Sequence, residues 1–153
     1  MSDIKIRIEG LPELKQALNH PYLLHGPVQT FLHRSTLTIE SEAKQTAPVD
    51  TGRYRSSIQS DVTGWRGTVG TNVSYARFIE FGTRPHWPPV GALSPWYSRH
   101  GFSSEFPVRR AIGRRGTKAR MIFTNALKNS LGAIKRHLDN MGKDIHSRWQ
   151  RKG

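Results

Sequence analysis

Residues 47–58 read APVDTGRYRSSI, and the fold turns on whether this stretch is a catalytic loop or a rigid connection. Upstream, Val28, Phe31, Leu32, Ser35, Ile39 and Ala43 follow i, i+3, i+4 spacing, which puts one stripe of a helix against a core. Gly26-Pro27 opens that helix with proline in its first turn, and the pattern runs to about Thr46, where Pro48 ends it. In the stretch itself, Asp50 is placed to cap the next turn by accepting the backbone N–H of Gly52 or Arg53. Pro48 fixes the backbone before it, and Gly52 after Thr51 lets the chain pass closely. No nucleophile stands beside a base. The stretch reads as a helix stop followed by a capped turn.

Working outward, Ile58, Ser60 and Val62 alternate with polar residues, Thr63-Gly64 signals a turn, and Thr68-Val69-Gly70 continues a return strand. Tyr75, Phe78, Ile79 and Phe81 then crowd one or two helical turns that Gly82 ends. Glu80 is the only acid in that apolar block, and it is expected to reach solvent or, the favoured arrangement, to pair with an arginine such as Arg53 or Arg55. At the other side, Ile4, Ile6 and Ile8 alternate with charges as a strand does, and Leu11, Leu14 and Leu18 mark a short helix.

Residues 84–107 hold five of the nine prolines and two of the four tryptophans. Pro85, Pro88 and Pro89 forbid one continuous element. A short helix from about Val90 to Arg99 is expected, with Leu93, Trp96 and Tyr97 on one face. Aromatics tethered by proline suit a protein–protein contact, because they offer apolar area at small ordering cost; a loop folded over its own core is the plainer reading. Beyond it lies a basic segment with Arg109, Arg110, Arg114, Arg115, Lys118 and Arg120, where Val108, Ala111 and Ile112 are expected to face inward. From about Met121 a last helix carries Ile122, Ala126, Leu127, Leu131, Ile134, Leu138, Met141 and Ile145 as an apolar stripe, ending in a frayed QRKG.

The 153 residues make one domain, 1–153, in which 84–107 is an inserted loop and 109–153 a basic helical part. Hydrophobic residues are only 35% of the chain, so much of its surface faces water or a partner. Cysteine is absent, which removes disulfides and thiolate metal sites. The N-terminus has no apolar leader and no run approaches a membrane span, so a soluble protein made in the cytoplasm is expected, with no membrane contact. The formal net charge of +13 is concentrated: residues 1–108 carry 11 Lys and Arg against 9 Asp and Glu, whereas 109–153 carry 13 against 2. Such asymmetry points to a polyanion or an acidic protein face, or else to a solvated helix face.

Catalytic patterns are missing. The seven histidines show no helical pair with a carboxylate at zinc-ligand spacing, Glu40 and Glu42 point to different faces, and neither G-x-S-x-G nor a phosphate loop is present. GRRGTK at 113–118 imitates a phosphate loop but follows no strand. A small basic nuclease using Glu80, His86 and His100 is the one enzymatic alternative. No enzyme, metal or cofactor is expected.

Five blocks stand in order: IEGLPELKQAL, APVDTGRYRSSI, VGTNVSYARFIEFGT, RPHWPP and RRGTKARMIF. Together, and above all through PVDTG followed by YARFIEFGT, they resemble the gene-ten-product family of tail components of long-tailed phages, over roughly residues 7–125. Tyr54 departs from the aliphatic residue more usual in that family. The resemblance implies an α+β fold, which the strand and helix pattern also gives: a small antiparallel sheet of three to four strands against a long helix, with a C-terminal helix and the Pro/Trp-rich inserted loop. It further implies a non-enzymatic virion protein forming a homo-oligomeric ring of about six copies at the neck or head-proximal tail end. Its neighbours would be head-connector or stopper proteins and tail-terminator or tail-tube proteins. On this reading Asp50, Thr51, Gly52, Tyr75, Glu80 and Gly82 build a rigid corner, and Trp87, Trp96 and Tyr97 dock on the next ring or subunit. The cations from Arg109 to Arg120 would face an acidic partner or a lumen where DNA slides past in transient, non-specific contact. The rival is a free nucleic-acid-binding protein acting through its basic C-terminal third.

Overall fold

A long helix begins the part of the chain that the computed structural model describes, residues 21–151; the strand expected around Ile4–Ile8 and the helix around Leu11–Leu18 lie outside it. Helix α1 spans Pro21–Thr46. It starts before Gly26-Pro27, so Pro27 is inside the helix rather than at its opening. The missing N–H at Pro27 forfeits one helical hydrogen bond, but its ring is fully buried, and that burial holds the helix through it.

A short helix α2, Arg53–Ser57, and two strands follow: β1, Ile58–Thr63, and β2, Arg66–Thr71. The strands pair antiparallel from Ile58↔Thr71 to Thr63↔Arg66. The turn falls at Gly64, as its sequence signals, with φ +58°. Ile58, Ser60 and Val62 of β1 and Gly67, Val69 and Thr71 of β2 turn inward, so period-two alternation lays one face of the hairpin on α1. Contact is close: a Cβ on Gly67 would stand 2.6 Å from Thr36 Cγ2. Glu40 of α1 accepts the Ser60 backbone N–H at 2.8 Å and the Ser60 hydroxyl. At the turn, Gln29 donates to the Gly64 carbonyl and Trp65 meets the edge of His25.

Helix α3, Ala76–Phe81, is stopped by Gly82 at φ +71°. Helices α4, Ser94–Arg99, and α5, Phe106–Arg115, lie in the Pro/Trp-rich and basic segments. Helix α6, Ile122–Gln150, runs back antiparallel along α1, with Thr38 beside His137 and Gly26 under the Arg148 guanidinium. The core is Ala43, Ala47, Tyr54, Ile58, Ile122 and Ala126, lined by Ile39, Val69, Val73, Ala76, Ile79 and Phe123. The fold is α+β, but its sheet has two strands among the described residues, fewer than the three to four expected.

Three expectations on helix faces change. The α4 helix is shorter than Val90–Arg99, because Pro89–Leu93 form turns before it. Ala111 is exposed while Val108 and Ile112 are half-buried, since α5 rests on the loop along one edge only. On α6, Ile122, Ala126 and Ser130 are buried against α1, whereas Leu127, Leu131 and Leu138 are about half exposed. A 100° rotation per residue separates those two lines, and among the described residues the packing on α1 covers the first line only. Gln150, expected in a frayed end, is still helical.

Candidate interaction surface

The turn at PVDTG is not closed by the expected cap. Gly52 adopts φ +81° and precedes α2 without a side-chain cap; Arg53 N lies 3.5 Å from Thr51 Oγ1. Asp50 turns away. Its carboxylate accepts two hydrogen bonds from Arg99, one at 2.9 Å from Nε, and that guanidinium holds the Asp50 carboxyl below its ordinary value. The corner is thereby tied to the Pro/Trp-rich loop. Arg55 Nε donates to the Lys44 carbonyl at 2.9 Å, where the last turn of α1 leaves acceptors open. Ser57 and Thr71 join hydroxyls at 2.6 Å and close the base of the hairpin. Tyr54, the departure from the family pattern, fills the core with its hydroxyl unpartnered, which fits a site suited to an aliphatic side chain.

Glu80 makes no ion pair with Arg53 or Arg55. It is 7% exposed, and its oxygens accept the backbone N–H groups of Phe123 at 3.0 Å and Thr124 at 3.1 Å and the Thr124 hydroxyl at 2.9 Å. These are open donors in the first turn of α6, so a carboxylate from another helix caps α6 and faces the positive end of its dipole. The backbones pair alongside: Arg120 N donates to Ile79 O at 2.9 Å and Met121 N to Glu80 O at 3.0 Å. Met121 takes a left-handed conformation, φ 51°, to enter α6.

Next to this cap two Gly-Thr pairs meet. Thr83 and Thr117 form an antiparallel bridge, with Thr83 N to Thr117 O at 3.1 Å and Thr117 N to Thr83 Oγ1 at 3.0 Å. Gly82 and Gly116 make the approach possible: Cβ atoms there would stand 2.3 Å from Thr117 O and 1.9 Å from Thr83 O. GRRGTK, the false phosphate loop, supplies half of this clasp.

Between α3, the clasp and the loop lies an open groove of about 870 Å³. Tyr75, Ile79, Pro88, Leu93, Trp96 and Ile112 give it apolar walls, and Arg84, Lys118 and Arg120 stand among its lining residues. Trp96 stacks with His100, at 4.3 Å, and with Phe102, at 5.6 Å. Tyr97 is half-buried. Trp87 is 58% exposed, and its indole crosses Gly113, where a Cβ would stand 2.7 Å from it. The three expected docking aromatics therefore serve the loop's own packing as well as its surface.

The basic segment divides. Arg109 is structural: it donates to the Pro88 carbonyl at 3.0 Å and lies 3.6 Å from Glu105, which in turn accepts the Gly91 N–H at 2.8 Å. Arg110, Arg114, Arg115, Lys118 and Arg120 are exposed. Sequence reasoning found the cations and the glycines but missed Glu105, Arg99 and Thr83, because each acquires its role from a residue distant in the chain. Among the described residues no group of three metal-ligating side chains comes together, and no helix is long and apolar enough to cross a membrane.

The fold and this surface define a small α+β scaffold: a hairpin clamped on a long helix and a corner that holds out an aromatic, cationic loop. Residues 28–82, from early α1 to Gly82, match the family model described as "Bacteriophage HK97-gp10, putative tail-component". Over that segment the chain is similar to the gene-ten-like tail-component family, the family that the sequence blocks also resemble. No curated protein matches the chain, and no solved structure does. Most of the groove's lining, from Thr83 to Arg120, the basic helix and α6 lie beyond the matched segment.

Proposed function

We propose that the chain is a virion structural protein that completes the tail or joins head to tail. It acts as a subunit of a homo-oligomeric ring of about six copies, at the neck or head-proximal tail end, between head-connector or stopper proteins and tail-terminator or tail-tube proteins. The match of residues 28–82 to a tail-component family carries this reading. The build of the molecule supports it. Its best-defined hydrogen bonds, at Glu80, Glu40 and the Gly-Thr clasp, hold elements together, and the groups thrown outward are aromatic or cationic. We assign it no catalytic step and no cofactor; Glu80, required by the nuclease alternative, spends both oxygens on α6. Arg110, Arg114, Arg115, Lys118 and Arg120 suit non-specific, salt-sensitive contact with DNA that must slide through a lumen.

Electron microscopy of lysates from phage lacking this gene tests the reading. Filled heads apart from tails, or tails of wrong length, are expected; intact joined particles would overturn it. The same exposed cations favour one second reading, a free nucleic-acid-binding protein. That reading requires tight duplex binding by the isolated chain with a steep salt dependence.

A further inference from the structure

Between residues 62 and 138 the chain holds 13 Lys and Arg but only two acids, Glu80 and Glu105. Both acids are turned inward, Glu80 to the first turn of α6 and Glu105 to Gly91 and Arg109. Asp50, the next carboxylate near the groove, is held by Arg99. Among the described residues no Asp or Glu lines the groove of about 870 Å³, while Arg84, Lys118 and Arg120 do, with exposed side chains. Its walls are apolar, and Phe78 stands 45% exposed beside them. The combination is selective. Apolar walls ask for an aliphatic or aromatic side chain, and unneutralised cations at the rim ask for carboxylates on either side of it.

We propose that this groove seats a short acidic segment of a partner protein, with one large apolar side chain in the groove and flanking Asp or Glu on Arg84, Lys118 and Arg120. The proposal rests on the assembly reading above and names the chemistry of the neighbour. A second copy of this chain is a poor occupant, because its net charge is +13 with only 11 acids, five of which, Glu40, Asp50, Glu80, Glu105 and Asp144, are already engaged. Duplex DNA matches the rim but leaves the apolar walls unfilled.

The test is fluorescence polarisation of the full chain with labelled peptides from an array in which Phe, Leu or Ile is set among Asp and Glu. Each binder is paired with an Asn/Gln version and with a version carrying Ser at the apolar position. Binding is expected to fall at least about tenfold, equivalent to about 1.4 kcal/mol, in either control. It falls similarly in the double variant Lys118→Glu/Arg120→Glu and in Phe78→Ser, with unchanged melting temperatures. Equal binding of the Asn/Gln peptides would overturn the proposal, as would no binding by any acidic-apolar peptide. Loss of duplex DNA binding in Lys118→Glu/Arg120→Glu with peptide binding intact would also overturn it and make the rim a nucleic-acid face. The two readings fail separately. If phage lacking the gene leave heads and tails unjoined but no peptide binds, only the groove assignment falls; if particles join without the gene, the assembly reading falls.

Discussion

At the scale of single residues, the most consequential side chain is Glu80. Its buried carboxylate takes three donors from the start of α6, so Glu80→Ala leaves those donors without a partner where water is excluded. Loss of about 2–3 kcal/mol is expected, read as a drop in the denaturant midpoint, and Glu80→Gln should lose less because one acceptor oxygen remains. An alanine variant as stable as the parent would mean α6 is capped another way. Gly116 makes a different point. At φ +70° and with the Thr83 carbonyl oxygen 1.9 Å from where a Cβ would stand, Gly116→Ala must part the clasp. A loss of several kcal/mol, on the order of the largest single-substitution effects, is expected in thermal melts, and a neutral result would show that the two strands do not touch in solution. Gly82 was legible as a helix stop from its place after FIEF; the clasp was not, since nothing local to either Gly-Thr pair names the other.

At the scale of elements, α1 is the beam on which the hairpin and α6 rest. Glu40 pins the hairpin to it: Lys44, one turn on, and the Ser60 hydroxyl and N–H donate to its oxygens and hold its carboxyl below the ordinary value near 4.5. A carboxyl whose value is lowered on folding contributes stability above its unfolded value, and that contribution disappears as pH falls through the folded value. The stability advantage of the parent over Glu40→Gln is therefore expected to be constant near neutrality and to shrink below about pH 4.5. Melts of both proteins across that range measure it, and an advantage that does not narrow in acid would remove Glu40 from the account. The helix, the hairpin and its turn were readable from period and punctuation because these patterns arise within a few residues. The side of α6 that meets α1 was not. Its face carries two lines of residues, and only packing chose Ile122 and Ala126, with the polar Ser130, over Leu127, Leu131 and Leu138.

For the whole molecule, the loop from Arg84 to Pro107 is the docking element of the proposed assembly, and it is anchored at Asp50–Arg99, Glu105–Arg109 and Trp87 over Gly113. Trp87→Ala and Trp96→Ala together should leave the hairpin and α1–α6 pair folded, with little change in melting temperature. Restored to phage lacking the gene, this variant is expected to leave heads and tails unjoined. A folded double variant that joins particles fully would show that the loop is not the docking element.

By itself the sequence determined the long helix ending before Pro48, the hairpin turning at Gly64, the helical block closed by Gly82, the concentration of positive charge in the last third and the resemblance to tail components. Each of these rests on spacing, on the backbone limits of proline and glycine, or on blocks standing in order. Only the tertiary structure decided what the charged side chains do. Glu80 finds its donors 43 residues away, and Asp50 finds Arg99 at a separation of 49. Arg109 is withdrawn from the basic face by a carbonyl 21 residues before it. Such pairings depend on which elements come to lie side by side, and a charge in the sequence carries no mark of the partner that packing will bring to it.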